Sequence, residues 1–359
     1  MNRKKRTAMM VAILLAAAAV VSVFFSHIVR YSPTAWSSDP FARRKINCAL
    51  NIGRFDDSTR ILISGYNYAL LHEFAEDLGS TAAVIPARDR TVNLLDSLRA
   101  GVLDILVLPY KKGAAAPEGT LASIPVDSVS VWLVQDKNMR GLRDINGWLR
   151  SYSKSPLHAR MEQTYIHAIY DPFQLVETGR TRQELSPYDS LYKVYAPSLG
   201  WDWRMLAALS FKESKFRIDA HSHMNAFGLM QLVESTAAKY GMTDPMDPED
   251  NIRAGAKYLS FLQDVFSKRL PAGADSDLTR FVLAAYNGGE GRLLDCIEFA
   301  QQLNVYDSTW ASLQHLPEIA EMSHVETDSL NLKKYNLSQI GMYVNEVLDT
   351  YGAFRAICP

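Results

Sequence analysis

The sequence predicts an α+β multidomain chain in which an N-terminal apolar segment is followed by a small α/β module and then by an all-α domain. Three observations carry this reading. Four cations precede an uncharged apolar run over residues 7–25. From residue 46 to about 170 short apolar runs alternate with helix-period segments. Beyond 186, helical periodicity continues without convincing strand alternation. A chain of 359 residues is longer than one core usually serves, and 48% hydrophobic with 21% charged residues is a globular composition that argues against long disorder.

The first element, residues 1–30, carries Arg3, Lys4, Lys5 and Arg6 ahead of the apolar run. That order marks an export signal or a membrane anchor, with the basic end held inside and the bulk outside. No A-x-A pattern follows, which favours an uncleaved inner-membrane anchor over secretion after cleavage. The expected location is therefore the periplasm or cell envelope. Net charge is −1, and without those four cations it is −5. No basic block with interleaved aromatics appears elsewhere, so no nucleic-acid partner is expected.

The α/β module spans 40–170. Its strands are expected at 46–52, 83–85, 104–108 and 128–134, the last rich in β-branched residues. A helix over 68–78 places Leu71, Phe74, Ala75 and Leu78 at helical spacing and ends at Gly79. A second, over 91–100, is closed by Gly101. The polar stretch 171–186, with Pro172 and Gly179, shows no sustained period and is read as the linker to the domain over 187–359.

Within that domain a helix over 203–216 sets Leu206, Leu209, Glu213 and Phe216 on one face. A carboxylate among apolar neighbours loses solvation in its charged form, so its pKa rises, as a general acid for glycosidic cleavage requires. The competing reading is an ion-paired glutamate, since Lys212 and Lys215 flank it. Tyr343 shares a helical face with Ile340 and Val347, and periodicity alone reads it as core. The H-x-H pair His221 and His223 lacks a second ligand pair, so no metal is expected.

The segments Y-N-Y-A-L-L-H-E-F-A-E-D-L-G (66–79), I-P-A-R-D (85–89), L-L-D-S-L-R-A-G-V-L-D-I (94–105) and S-V-S-V-W-L-V (128–134) occur in the order found in the periplasmic amino-acid-binding protein family, and the module resembles one lobe of that fold. The segment for a second lobe is missing, so a truncated solute-binding-like module without a complete ligand cleft is expected. In the helical domain E-S-K-F (213–216), S-H-M-N-A-F-G-L-M-Q-L (222–232) and A-A-Y-N-G-G (284–289) resemble the soluble-lytic-transglycosylase domain, a goose-type-lysozyme-like fold. The two modules in this order resemble the membrane-bound lytic murein transglycosylase F family.

The resemblance implies a peptidoglycan lytic transglycosylase that needs no cofactor and acts on glycan strands. Glu213 takes the position of the catalytic glutamate, and Ser222 that of a serine orienting it or the substrate. Met230, Gln231, Tyr286 and Asn287 would line the groove, and Tyr343 would be the late tyrosine approaching the glutamate. The sequence departs from the family pattern at Asn225, where glycine is usual, and in the segment before Tyr343, which lacks an R-G-x-E-T run.

Ordinary glycosidases use two carboxylates. Here a single glutamate would serve as acid and then base, giving 1,6-anhydro ends. The alternatives are a hydrolytic lysozyme, for which Asp219 or Glu234 would supply the second carboxylate, and a non-catalytic peptidoglycan-binding or assembly protein. A ligand-controlled sensor is a third. Of the three cysteines, Cys296 follows the A-Y-N segment and Cys358 follows the Tyr343 helix, so a Cys296–Cys358 disulfide is expected, leaving Cys48 a buried thiol.

Overall fold

The computed structural model describes residues 40–52, 62–86, 93–166, 171–271, 275–314, 316 and 337–359. The expected N-terminal membrane segment lies outside these residues. Among the described residues no helix is long and apolar enough to cross a membrane. The chain divides into two compact units whose main boundary falls between Glu162 and Gln163, with residues 62–65 grouped with the second.

The first unit is a mixed sheet. Strands β1 (Lys45–Leu50), β2 (Thr81–Pro86), β3 (Ile105–Pro109), β4 (Thr120–Ala122) and β5 (Ser130–Gln135) stand in the order β2-β1-β3-β5-β4. β1 runs parallel to both neighbours, with Cys48 opposite Val84 on one side and Ile105 on the other. β5 is antiparallel to β3 and β4, pairing Leu106 with Leu133 and Leu121 with Val134. Central strands covered on both faces read as continuous apolar runs, which is why β1, β3 and β5 were visible in the sequence. The three-residue edge strand β4 is too short to show a period.

Helices α1 (Ile63–Asp77), α2 (Leu94–Ala100), α3 (Met139–Tyr152) and α4 (Pro156–Met161) complete this region. The Asn93 side chain caps α2 by accepting from the Leu95 and Asp96 amides, and Gly101 ends it at φ 79°. Ala49, Leu98, Leu103, Leu106 and Leu133 form one core cluster. Phe74 meets Trp132 and Trp148 edge-on, with ring centroids 5.7 and 5.5 Å apart.

The second unit is predominantly helical. It contains α5 (Pro172–Glu177), α6 (Asp189–Tyr195), α7 (Trp203–Ser214), α8 (Glu234–Lys239), α9 (Pro248–Ser267), α10 (Asp275–Gly288), α11 (Glu290–Gln302), α12 (Trp310–Gln314) and α13 (Leu337–Ile357). The expectation of an all-α domain is corrected by a small antiparallel hairpin, β6 (Ala226–Phe227) with β7 (Leu232–Val233). Two-residue strands lie below the resolution of any period.

The segment 171–186, read as a linker, is more than a connector. Asp171 caps α5 by accepting from the Phe173 and Gln174 amides, with Pro172 in the first turn. α5 packs on α13, and the Arg182 amide donates to Ile357 O at 2.7 Å. Pro172 there is a helix starter, not a breaker.

The expected Cys296–Cys358 disulfide is absent, and all three cysteines are free and buried. Cys296 sits in α11, which packs on α10 and α12. The Cys358 thiol lies 3.5 Å from Gln183 O, at the end of α13 tied to the α5 side of the unit. Burial pushes the Cys296 thiol up to about 12, so it stays protonated and unreactive.

Candidate active site

α7 is the central element of the site. Asp202 caps its start by accepting from the Arg204 amide at 2.9 Å, and the helix is buried from Met205 through Phe211. A polar group on so enclosed a helix needs a partner. Ser210 receives a 2.6 Å hydrogen bond from the Tyr192 hydroxyl of α6 and donates to Leu229 O at 3.2 Å. α7 stops abruptly one residue after Glu213. Lys215 and Phe216 both lie in the left-handed region, at φ 53° and 61°.

Glu213 keeps a partial opening to solvent, yet is enclosed enough that burial pushes its carboxyl up to about 7. The Tyr343 hydroxyl of α13 donates to Glu213 Oε1, and this bond together with the charge of Lys212 works against the rise without cancelling it. Burial and the Glu213 charge in turn hold the Tyr343 phenol well above its ordinary range, so it remains a donor. The flanking lysines do not neutralise the glutamate by pairing with it. Lys212 pairs with Glu346 of α13, and Lys215 lies 4.0 Å above the Phe211 ring.

The chain returns through residues 217–231 as a turn and the β6–β7 hairpin. The Ser222 hydroxyl accepts from the Met224 and Ala226 amides at 3.2 and 3.1 Å. It therefore closes its own turn, and no hydrogen bond joins it to Glu213 among the described residues. Asn225 stands at φ 57°, which explains the departure from glycine. Asparagine is among the few side chains that enter this region readily, so the turn survives the exchange.

The Gly228–Gln231 segment is pinned from three helices. Ser210 of α7 bonds Leu229 O. Asn251 of α9 accepts from the Met230 amide at 2.8 Å, and Tyr286 of α10 donates to Met230 O at 2.6 Å. Gly228 is at φ 78°, and a Cβ there would sit 2.1 Å from Asn251 Nδ2. Gly255 of α9 likewise leaves room for the Met230 side chain, whose atoms lie 2.8 Å from where a Cβ would be. Gln231 donates to Ala220 O and Gly228 O, both at 2.9 Å, which leaves its carbonyl oxygen as the end able to meet a ligand.

The structure thus brings Glu213 and Tyr343 together directly. Tyr286 joins them, and its phenol is held well above its ordinary range by burial first and by the Glu213 charge second. Met230 is fully buried, while Asn287 is exposed at the end of α10. Asp219 lies 3.5 Å from Arg217 Nε, and Glu234 is exposed in the first turn of α8. Asn251 was missed from the sequence. Its signal was present, because it heads the stripe Asn251, Gly255, Leu259, Leu262, Phe266 that α9 buries, and an amide on such a stripe is a buried structural bond.

Residues 191–307 match the Transglycosylase SLT domain. This stretch holds Glu213, the β6–β7 hairpin and the A-Y-N segment. The chain is 32% identical over 214 residues to membrane-bound lytic murein transglycosylase F of Histophilus somni, covering 57% of this chain and 43% of that protein. It is 31% identical over 232 residues to the protein of that name from Desulfosudis oleivorans, covering 62% and 49%. The chain therefore spans less than half the length of these relatives. Against the crystal structure of the 70 kDa soluble lytic transglycosylase Slt70 from Escherichia coli it aligns with a TM-score of 0.36 at 20% identity, over 60% of this chain and 35% of that one.

Proposed function

We propose that this protein is a peptidoglycan lytic transglycosylase that cleaves the β-1,4 bond between N-acetylmuramic acid and N-acetylglucosamine. The observation that carries this reading is the half-buried Glu213 carboxyl, raised to about 7 and bonded by the Tyr343 hydroxyl. A group half protonated near neutrality can give a proton and take one back.

In the first step Glu213 protonates the glycosidic oxygen, and the bond from C1 to that oxygen breaks while the substrate's own N-acetyl group stabilises C1. In the second, the C6 hydroxyl attacks C1 and returns its proton to Glu213. Atoms balance without water, and the product carries a 1,6-anhydro ring. Tyr343 holds Glu213 Oε1 in place throughout. Gln231, Asn287 and Tyr286 would face the sugars over the Met230 floor, and Ser222 would shape the adjoining turn.

The names of the relatives support an envelope location, with residues 1–30 as the tether and the first unit as a solute-binding-like lobe kept for packing or protein contact. The decisive experiment is mass spectrometry of fragments released from purified peptidoglycan by the full chain. Anhydro-ended muropeptides support the reading. Reducing ends would replace it with a hydrolytic lysozyme, and no release with a binding or assembly protein.

A further inference from the structure

One ion pair sits where the two helices of the catalytic pair meet. Lys212 immediately precedes Glu213 on α7, and Glu346 follows Tyr343 by three residues on α13. The two side chains pair with each other, and the Lys212 ammonium lies 5.8 Å from the centre of the Tyr343 ring. The Lys212 side chain is 31% exposed and that of Glu346 is 56% exposed, so the pair adds little to stability. Buried contacts already join α7 and the turn that follows it to α13, among them Phe211 and Phe216 against Phe354. Its position beside the acid is what needs explaining.

We propose that Lys212 and Glu346 form an electrostatic clasp beside Glu213 that positions the carboxyl against Tyr343 and sets the pH range over which it can act as an acid. Lys212 alone would favour the ionised carboxylate and hold Glu213 in the wrong state for donating a proton. Glu346 engages that ammonium from the facing helix and offsets its field. The acid is then tuned by burial against a lysine whose charge is partly cancelled.

Among the described residues, Tyr343 and Lys212 are the side chains that act on the Glu213 carboxyl besides its burial. Tyr343 and Tyr286 face it from α13 and α10, and both stay protonated. Lys215 is turned onto Phe211. On α6, which also packs on α7, Tyr192 is bonded to Ser210, and Lys193 lies over the Trp203 ring at the other end of the helix. The charge balance at the carboxyl is therefore left mainly to Lys212 and Glu346, the one adjacent to it in sequence and the other paired to that neighbour.

This inference rests on the acid role of Glu213 but is tested apart from it. Carbon NMR of the full chain with labelled glutamate, assigned by difference against Glu213→Gln, reads the carboxyl titration without turnover. Lys212→Met should move the midpoint up and Glu346→Gln should move it down, each by roughly 0.5 pH unit, the scale of one half-solvated charge a few ångströms away. Lys212→Arg should hold the wild-type midpoint. The alkaline limb of kcat/KM on peptidoglycan should shift in the same two directions. A merely structural pair would give shifts of one sign or none, and either result overturns the clasp. Opposite NMR shifts with no release of anhydro fragments by the wild type would retain the clasp and sink the lytic reading instead.

Discussion

Glu213→Gln separates what the carboxyl costs the fold from what it does for the reaction. The amide keeps an oxygen for the Tyr343 hydroxyl and loses the ionisable proton. Folding raises the group from an ordinary 4.5 to about 7, which at 1.36 kcal/mol per pH unit is about 3 kcal/mol of bias against the ionised form. Partial solvent access lowers this to an expected 1 to 3 kcal/mol, roughly. Between those two values the native state holds a proton that the unfolded chain has lost, so wild-type stability falls as pH rises from 4.5 and levels off above about 7. Glu213→Gln lacks this slope. Urea unfolding of both proteins at about pH 4 and about pH 8 should show near-equal stability in acid and a more stable variant in alkali. Turnover should meanwhile fall ~10² to 10⁴-fold. A pH-independent stability difference, or an active variant, would refute the assignment.

Tyr343→Phe removes the donor that favours ionised Glu213. The alkaline limb of kcat/KM should move to higher pH, and its plateau should fall about 10-fold, as for one lost hydrogen bond to a charged group. Asn251→Ala leaves the Met230 amide and the Phe227 and Pro245 carbonyls without their partner, so thermal unfolding should report a loss of about 2 to 4 kcal/mol, with activity falling as the floor loosens. Asn225→Gly should stabilise the protein by up to about 1 kcal/mol by relieving a left-handed residue, and Asn225→Ala should do the opposite, both read by chemical denaturation. Alkylation of the unfolded chain without reductant should add three labels, because Cys48, Cys296 and Cys358 are all thiols.

The legible parts of this molecule were those whose physics is local and periodic. β1, β3 and β5 showed as apolar runs because their sheet is covered on both faces, and α7 because its buried face repeats at helical spacing. Glu213 could be read as a desolvated acid from the same spacing. What stayed hidden depends on partners distant in sequence. Ser222 has the right place in its motif, yet its hydroxyl bonds two amides of its own turn. The Cys296–Cys358 pairing followed chain order, whereas Cys358 is held at Gln183 through contacts of α13 with α5 and the segment behind it. Lys212 was visible as a neighbour of Glu213, but its partner Glu346 lies on a helix more than a hundred residues later.

The backbone just after Glu213 shows how stability and chemistry are set against each other here. Two consecutive residues, Lys215 and Phe216, adopt left-handed conformations that cost about 1 to 2 kcal/mol each without glycine. A glycine at either position would relieve that cost, but at 216 it would also remove the ring that anchors the turn. Phe216 is fully buried, stacked on Phe354 with ring centroids 6.1 Å apart and packed on Phe211 at 5.3 Å. Burying such a ring contributes about 1.5 to 3 kcal/mol, enough to offset its own strain and part of its neighbour's. The benefit is geometric. The helix ends one residue past the acid, and the chain turns back through 217–231 into the segment that Ser210, Asn251 and Tyr286 hold. An α7 continued for another turn would carry the 217–231 segment away from those three bonds and leave Glu213 on an ordinary helix surface.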